Sequence, residues 1–434
     1  MRETPLDAGS VELVLQSSLE LLGAYAAWVL AAAAVHWLLP PARRKAWLAL
    51  SGAAFLASWF PAPLAAALAA STAALHAAGA RARRGKEGWP AAALAFSAAA
   101  ALLLGGRAHF LRYDGTFLVF EDVLPALFIG IYLKKAAYFL YEARYGRLPA
   151  YGAADTAVYF FSLPFALGPG VVAAPSHLQE SYGKREGRAA AAHGLQTVLD
   201  AVLHLAGCWA VFRLFGSFMF GRELLGRLAQ GRVRAPEIWA ALGLAYLSFY
   251  LLRYGYEQLC VGTARLLGFD LRDNYAEPLL ASSYAEHWRR WNVHFREMVM
   301  AFFYYPVMLR LARARPSAGA SNIVAACWTT FFGHGLFVVA ANAVFYSPGS
   351  WPGLRDSACR IALFEGLQWA LVSGSLLRSR SQPGAPQPAS GLREAAGIAT
   401  TFALRAATLP FLALNRKQLA WSDVAGLLGA AFGL

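Results

Sequence analysis

Val324-Ala-Ala-Cys-Trp-Thr-Thr-Phe-Phe-Gly-His-Gly-Leu-Phe-Val-Val-Ala-Ala-Asn-Ala-Val-Phe-Tyr346 is an apolar run long enough to cross a bilayer as a helix. One ionisable residue, His334, sits in its middle between Gly333 and Gly335. An imidazole at membrane depth is costly, so it marks a functional site by default. The flanking glycines leave room for a substrate or another backbone to come close. His334 taken alone also fits a satisfied structural histidine.

Similar apolar runs recur along the chain, near residues 19–39, 46–60, 64–79, 89–105, 116–141, 155–175, 190–216, 237–260, 296–312, 323–346, 357–377, 392–414 and 419–434. Several are short or contain proline, which fits broken or re-entrant helices. The expected fold is all-α: a polytopic transmembrane helical bundle of about 10–12 spans around an intramembrane chamber. Composition agrees. The chain is 58% hydrophobic and 15% charged, where a soluble domain is about a quarter charged; mean hydropathy is +0.42.

The net charge of +14 is read as positive-inside anchoring, not as a nucleic-acid surface. Arg43, Arg44 and Lys45 form one cluster, and Arg81, Arg83, Arg84 and Lys86 the next. Two short apolar segments lie between them, interrupted by Pro61 and Pro63, which suits a hairpin returning to one face. Both clusters are expected in the cytoplasm. No cleavable signal peptide is expected, so the first helix stays. The expected location is the cell (inner) membrane, multi-pass. Cys208, Cys260, Cys327 and Cys359 are scattered without metal spacing, and no metal site is expected.

Residues 1–112 read as generic helices, and polar and aromatic content rises over 113–346. Residues 347–434 hold the last helices, after a loop rich in Pro, Ser and Gly at 379–391. Leu163–Pro175 contains three prolines and two glycines, so it is not one straight helix. The richest polar stretch is Trp288-Arg289-Arg290-Trp291-Asn292-Val293-His294-Phe295-Arg296. Helical spacing puts Trp288, Trp291 and Phe295 on one face. Arg290 and its neighbours suit phosphate or an anionic surface. The plainer alternative is an interfacial amphipathic helix with aromatic and basic anchors.

The ordered series Gly262-Thr-Ala-Arg265-Leu266-Leu267-Gly268-Phe269, Asn274-Tyr275, Pro278-Leu279-Leu280-Ala281-Ser282-Ser283, Trp288-x-x-Trp291-Asn292, Tyr304-x-Pro306 and His334 resembles the membrane-bound O-acyltransferase (MBOAT) family. Phe160-Phe161-Ser162-Leu163-Pro164 with Gly168-Pro169 adds to it upstream. The similarity runs over residues 130–346 and is nearest to the bacterial alginate O-acetyltransferase and teichoic acid D-alanyl transfer branch. Asn292 departs from that branch, which usually carries His there; Asn resembles the sterol-, diglyceride- and peptide-acylating branches.

The resemblance implies an acyltransferase that moves an acyl group, most simply acetyl from acetyl-CoA, to a hydroxyl of an envelope glycan, lipid or lipid-linked sugar. Implied partners are membrane lipids, the cytoplasmic acyl donor, the envelope acceptor and a periplasmic partner acyltransferase. No bound cofactor and no nucleic acid are implied. His334 would be the general base. Neutral imidazole suits that role, and burial disfavours its charged form. Asn292 would orient the acyl carbonyl or stabilise the oxyanion. Trp288, Arg290, Trp291, His294 and Tyr304 are candidates for substrate binding. Cys327 lies two helical turns before His334, about 10 Å away, too far for a dyad in one helix. Glu257 reads as a structural ion-pair member, and Lys134 and Lys135 as snorkelling or cavity-lining. Competing classes are a transporter or lipid flippase, which would show inverted repeats, and a catalytically inactive scaffold.

Overall fold

The computed structural model describes residues 8–85, 89–105, 120–148, 151–165, 171–185, 187–219, 224, 227–228, 230–314, 317–335, 351–380, 391–415 and 421–432. Among these the fold is all-helical. The elements are α1 (Ala8–Leu38), α2 (Pro41–Trp59), α3 (Ala62–Arg83), α4 (Trp89–Gly105), α5 (Phe120–Arg144), α6 (Ala153–Phe161), α7 (Pro175–Ser181), α8 (Gly187–Met219) and α9 (Ala235–Leu266). They continue with α10 (Tyr284–Arg290), α11 (Val293–Val299), α12 (Tyr305–Arg313), α13 (Ala318–Trp328), α14 (Trp351–Arg380), α15 (Gly391–Asn415) and α16 (Trp421–Phe432).

Among the described residues, three helices are long and apolar enough to cross a membrane: Ala62–Arg83, Gly187–Phe215 and Ala235–Leu266. Shorter apolar helices cover Gly23–Leu38, Pro90–Leu103 and Ser422–Phe432. The protein therefore has the character of a membrane protein. The prolines act where expected. Pro40 and Pro61 precede α2 and α3, whose first turns need no N–H from Pro41 or Pro63. After Phe161 the chain leaves the helix and makes one 3₁₀ turn over Leu163–Phe165; residues 171–174 are non-helical, and a helix begins at Pro175. The buried Val171 and Val172 lie in this non-helical stretch.

The chain divides into two compact units. Unit 1 holds residues 1–199 and 257–272; unit 2 holds 200–256 and 273–434. In unit 1 the helices approach closely at glycines. A Cβ on Gly52 of α2 would lie 2.0 Å from the Phe161 carbonyl oxygen, and one on Gly262 of α9 would lie 2.8 Å from Val198 of α8. Small residues at such crossings replace the hydrophobic drive that lipid cannot supply. The run Gly262–Phe269 has a structural explanation here. Gly268, at φ +88°, ends α9 in the left-handed region, and the Phe269 N–H reaches back to the Ala264 carbonyl. Buried Arg265 ties the turn down, donating to the Leu271 carbonyl at 2.6 and 2.9 Å and to Thr197 Oγ1 at 2.6 Å.

Unit 2 has two apolar centres. One packs Ile238, Leu242 and Tyr246 of α9 against Ala406 of α15 and Val424 and Leu427 of α16. The other is aromatic, formed by Tyr250, Tyr275 and Trp291 with Phe249, Tyr254 and Trp288 around them.

Replacing Gly52 by Ala should drive a methyl into a backbone carbonyl and destabilise the fold by about 1–3 kcal/mol. Gly23→Ala, with nothing within 4 Å of the new methyl, should be neutral. Thermal unfolding in detergent, followed by fluorescence, compares the two; equal midpoints would refute the close approach.

Candidate active site

His334 lies in unit 2 at a local change of helix type. Helix α13 gives way at Thr329–Gly335 to a π-helical turn. The side chains explain the change. Thr329 and Thr330 donate their hydroxyls to the carbonyls of Ala325 and Ala326, four residues back, a contact that bends helices. A second π segment, Met300–Tyr304, lies just before Pro306, which has no N–H for the carbonyl four residues behind it. The two π segments meet at Gly333, where an added Cβ would lie 2.7 Å from Val299 Cγ1 and 3.2 Å from Phe303 Cδ2. Wide helical turns of this kind are frequent at functional sites. The expected room beside the glycines is taken up by protein. Gly333 admits Val299 and Phe303, and Gly335 admits Glu365, whose Cγ would lie 3.3 Å from an added Cβ.

Glu365, on α14, is the residue that the sequence reading missed. Its side chain is 2% exposed, against 34% for His334, and its Oε1 lies 2.5 Å from His334 Nδ1. A buried carboxylate needs such a donor. When Nδ1–H donates to it, the neutral ring keeps its lone pair on Nε2. Trp288 and Phe295 stand edge-on to the imidazole, with ring centroids at 6.4 and 6.0 Å. Glu365 and Trp288 thus hold the imidazole from different helices.

The expected single helical face through Trp288, Trp291 and Phe295 is corrected. The chain breaks between α10 and α11, because Trp291 is extended and Asn292 is left-handed, at φ 47° and ψ 57°. Asparagine tolerates that conformation better than most residues. Buried Asn274 holds the break. Its carbonyl accepts from the Val293 N–H at 2.8 Å, its Oδ1 accepts from the His294 N–H at 3.0 Å, and its Nδ2 donates to Asn292 Oδ1 at 3.2 Å. The Asn292 amide NH₂ remains as a donor, between two residues that both touch His334. The break also separates the aromatic residues: Trp288 and Phe295 go to the imidazole, and Trp291 does not.

The other candidates are distributed as follows. Trp291 is buried in the aromatic centre, stacked on Phe249 at 5.9 Å and on His287 at 5.4 Å. Arg290 donates to Glu286 Oε1 at 2.6 Å and to the Glu277 carbonyl. Burial raises the Glu286 pKa, but hydrogen bonds from Ser282 and Arg290 outweigh it and hold the carboxyl below its ordinary value. His294 is buried next to Asn274, and Tyr304 Oη donates to Asn322 Oδ1 at 3.0 Å. In unit 1, a small cleft is lined by Lys45, Tyr151, Asp155, Leu178, Tyr182 and Phe269. It contains none of the predicted site residues.

The signal for Glu365 was present in the sequence: an acid in the apolar run 357–377 obeys the same rule that singled out His334. No family model matches the chain, and no curated protein matches it closely.

Asn292→Gly should keep the left-handed turn, whereas Asn292→Ala should lose about 1 kcal/mol more stability, since alanine is disfavoured there. Denaturant or thermal unfolding in detergent would rank the pair; alanine equal to glycine would refute the strained turn.

Proposed function

We propose that the chain is a multi-pass membrane O-acyltransferase that moves an acyl group from a thioester, most simply acetyl-CoA, to a hydroxyl of an envelope glycan, lipid or lipid-linked sugar. The observation that carries the reading is the hydrogen bond from His334 Nδ1–H to buried Glu365. It gives a part-exposed imidazole a fixed tautomer, as a general base requires.

In this reading the acceptor hydroxyl meets Nε2 of His334 while its oxygen attacks the thioester carbonyl. The O–H proton passes to Nε2, and the carbonyl becomes a tetrahedral oxyanion. Glu365 stabilises the imidazolium that forms. The Asn292 amide NH₂ faces the oxyanion as a donor. The intermediate collapses with cleavage of the C–S bond. The thiolate leaves with the proton from His334, and the ester remains on the acceptor. Trp288 and Phe295 flank the imidazole and exclude water that would otherwise hydrolyse the thioester. The remaining family features, a polytopic bundle around an intramembrane chamber and an acceptor on the envelope side, belong to the same proposal.

Thiol release from acetyl-CoA by the purified, detergent-solubilised protein, with membrane extract as acceptor, tests this. His334→Ala should reduce turnover by about 10²–10⁴-fold with unchanged membrane insertion. Glu365→Gln should fall between it and wild type. Asn292→Ala should lose about 10²–10³-fold. Asn292→His retains a donor and a residue tolerant of positive φ, so it should lose only about tenfold, or 1.4 kcal/mol of barrier. Wild-type turnover in His334→Ala would end the reading in favour of transport.

A further inference from the structure

Arg405 of α15 is buried in unit 2, and no carboxylate is bonded to it among the described residues. Its Nη1 donates to Tyr284 Oη at 3.0 Å and to Gln368 Oε1 at 2.9 Å. Tyr284 Oη also donates to Gln368 Oε1. The guanidinium carbon lies 5.0 Å from the centre of the Trp288 ring, and within 6 Å of Tyr246, Tyr284 and Trp291.

Three of these partners, Tyr284, Trp288 and Gln368, sit on the two helices that support His334. Tyr284 and Trp288 are one turn apart on α10, and Trp288 touches the imidazole. Gln368 follows Glu365 by three residues on α14, so the two share a face. One planar cation thus clamps the helix that presents the indole to the helix that presents the carboxylate. Stability alone explains this poorly. Arg405 Nε and Gln368 Nε2 are buried without hydrogen-bond partners, and apolar residues of similar volume are often at least as stable as a buried charge. A planar fork that bonds two groups and stacks on a ring fixes geometry in a way that Lys or Met does not.

We infer that Arg405 is a positioning residue for the His334–Glu365 pair, acting through Trp288 on one side and Gln368 on the other. The inference builds on the reading of His334 as a base, but its test needs no turnover. Diethyl pyrocarbonate carbethoxylates neutral imidazole, and mass spectrometry of the His334 peptide gives the rate as a function of pH in the full-length protein. Glu365→Gln, which removes the ionisable partner on α14, sets the reference displacement of the pH midpoint.

Arg405→Lys should move the midpoint in the same direction as Glu365→Gln. It should also change the His334 rate at neutral pH by about threefold, the low end for members of one network. Arg265→Lys in unit 1, also a buried arginine, should leave the curve at wild type. Should Arg405→Lys fail to fold, the double variant Arg405→Met/Gln368→Leu removes the polar network together and carries the same expectation. Wild-type curves in the folded variants, or an equal displacement by Arg265→Lys, would overturn the inference. A displaced curve in a protein that transfers no acyl group would leave the positioning intact and defeat only the acyltransferase reading.

Discussion

A carboxyl group that is 2% exposed needs a hydrogen-bond partner in the interior, and His334 Nδ1, 2.5 Å away, is that partner. Much of unit 2 follows from keeping these two groups together. Glu365 reaches the imidazole because Gly335 has no side chain in the way. The imidazole is turned toward it because Thr329 and Thr330 bond the carbonyls behind them and widen the helix at that point. Trp288 and Phe295 close on the ring because the chain breaks at Asn292, and Asn274 holds the break. Glu365, on α14, and Trp288, on α10, come from other helices than the π turn Thr329–Gly335 that carries His334.

Much of the fold was legible in the sequence. Long apolar runs gave helices, and the described parts of Leu163–Pro175, a 3₁₀ turn at Leu163–Phe165 and non-helical residues 171–174, fit the expectation that it is not one straight helix. His334 was legible because a lone ionisable residue in an apolar run is costly. Glu365 was equally legible by that rule, but attention to one histidine left it unread. The break at Asn292 was not legible. Trp288, Trp291 and Phe295 have helical spacing, and nothing local forbids a continuous helix there. The break comes from Asn274, eighteen residues earlier, through tertiary hydrogen bonds that periodicity does not report. Arg405 lies in the apolar run 392–414 and obeys the rule that marks His334, but its partners Tyr284 and Gln368 are distant in sequence and not legible from it.

The sequence motifs divide by physical role. Gly262–Phe269 ends a helix: Gly268 takes a positive φ, and Arg265 bonds Leu271 and Thr197. Asn274 shapes the turn at Asn292. Trp291 fills an aromatic core with Tyr250 and Tyr275. His334 has Trp288 and Phe295 edge-on to its ring. Most of these motifs therefore account for backbone turns and packing, and few of them for the surroundings of His334. The Asn292 backbone makes the turn, and its side-chain Oδ1 accepts from Asn274 Nδ2.

Few helices stand out by hydropathy among the described residues. The three that do, α3, α8 and α9, are not those that carry His334, Glu365 and Arg405. Helix α14 runs for 30 residues but includes Arg355, Asp356, Arg360, Glu365 and Gln368. Helix α13 is 11 residues long and gives way to the π turn that carries His334. A buried acid, imidazole and cation draw apolar character out of the helices that carry them. Hydropathy is therefore weakest as a guide where buried polar groups are densest. In such segments an isolated charge is better read as one half of a pair, whose other half is sought on a neighbouring helix.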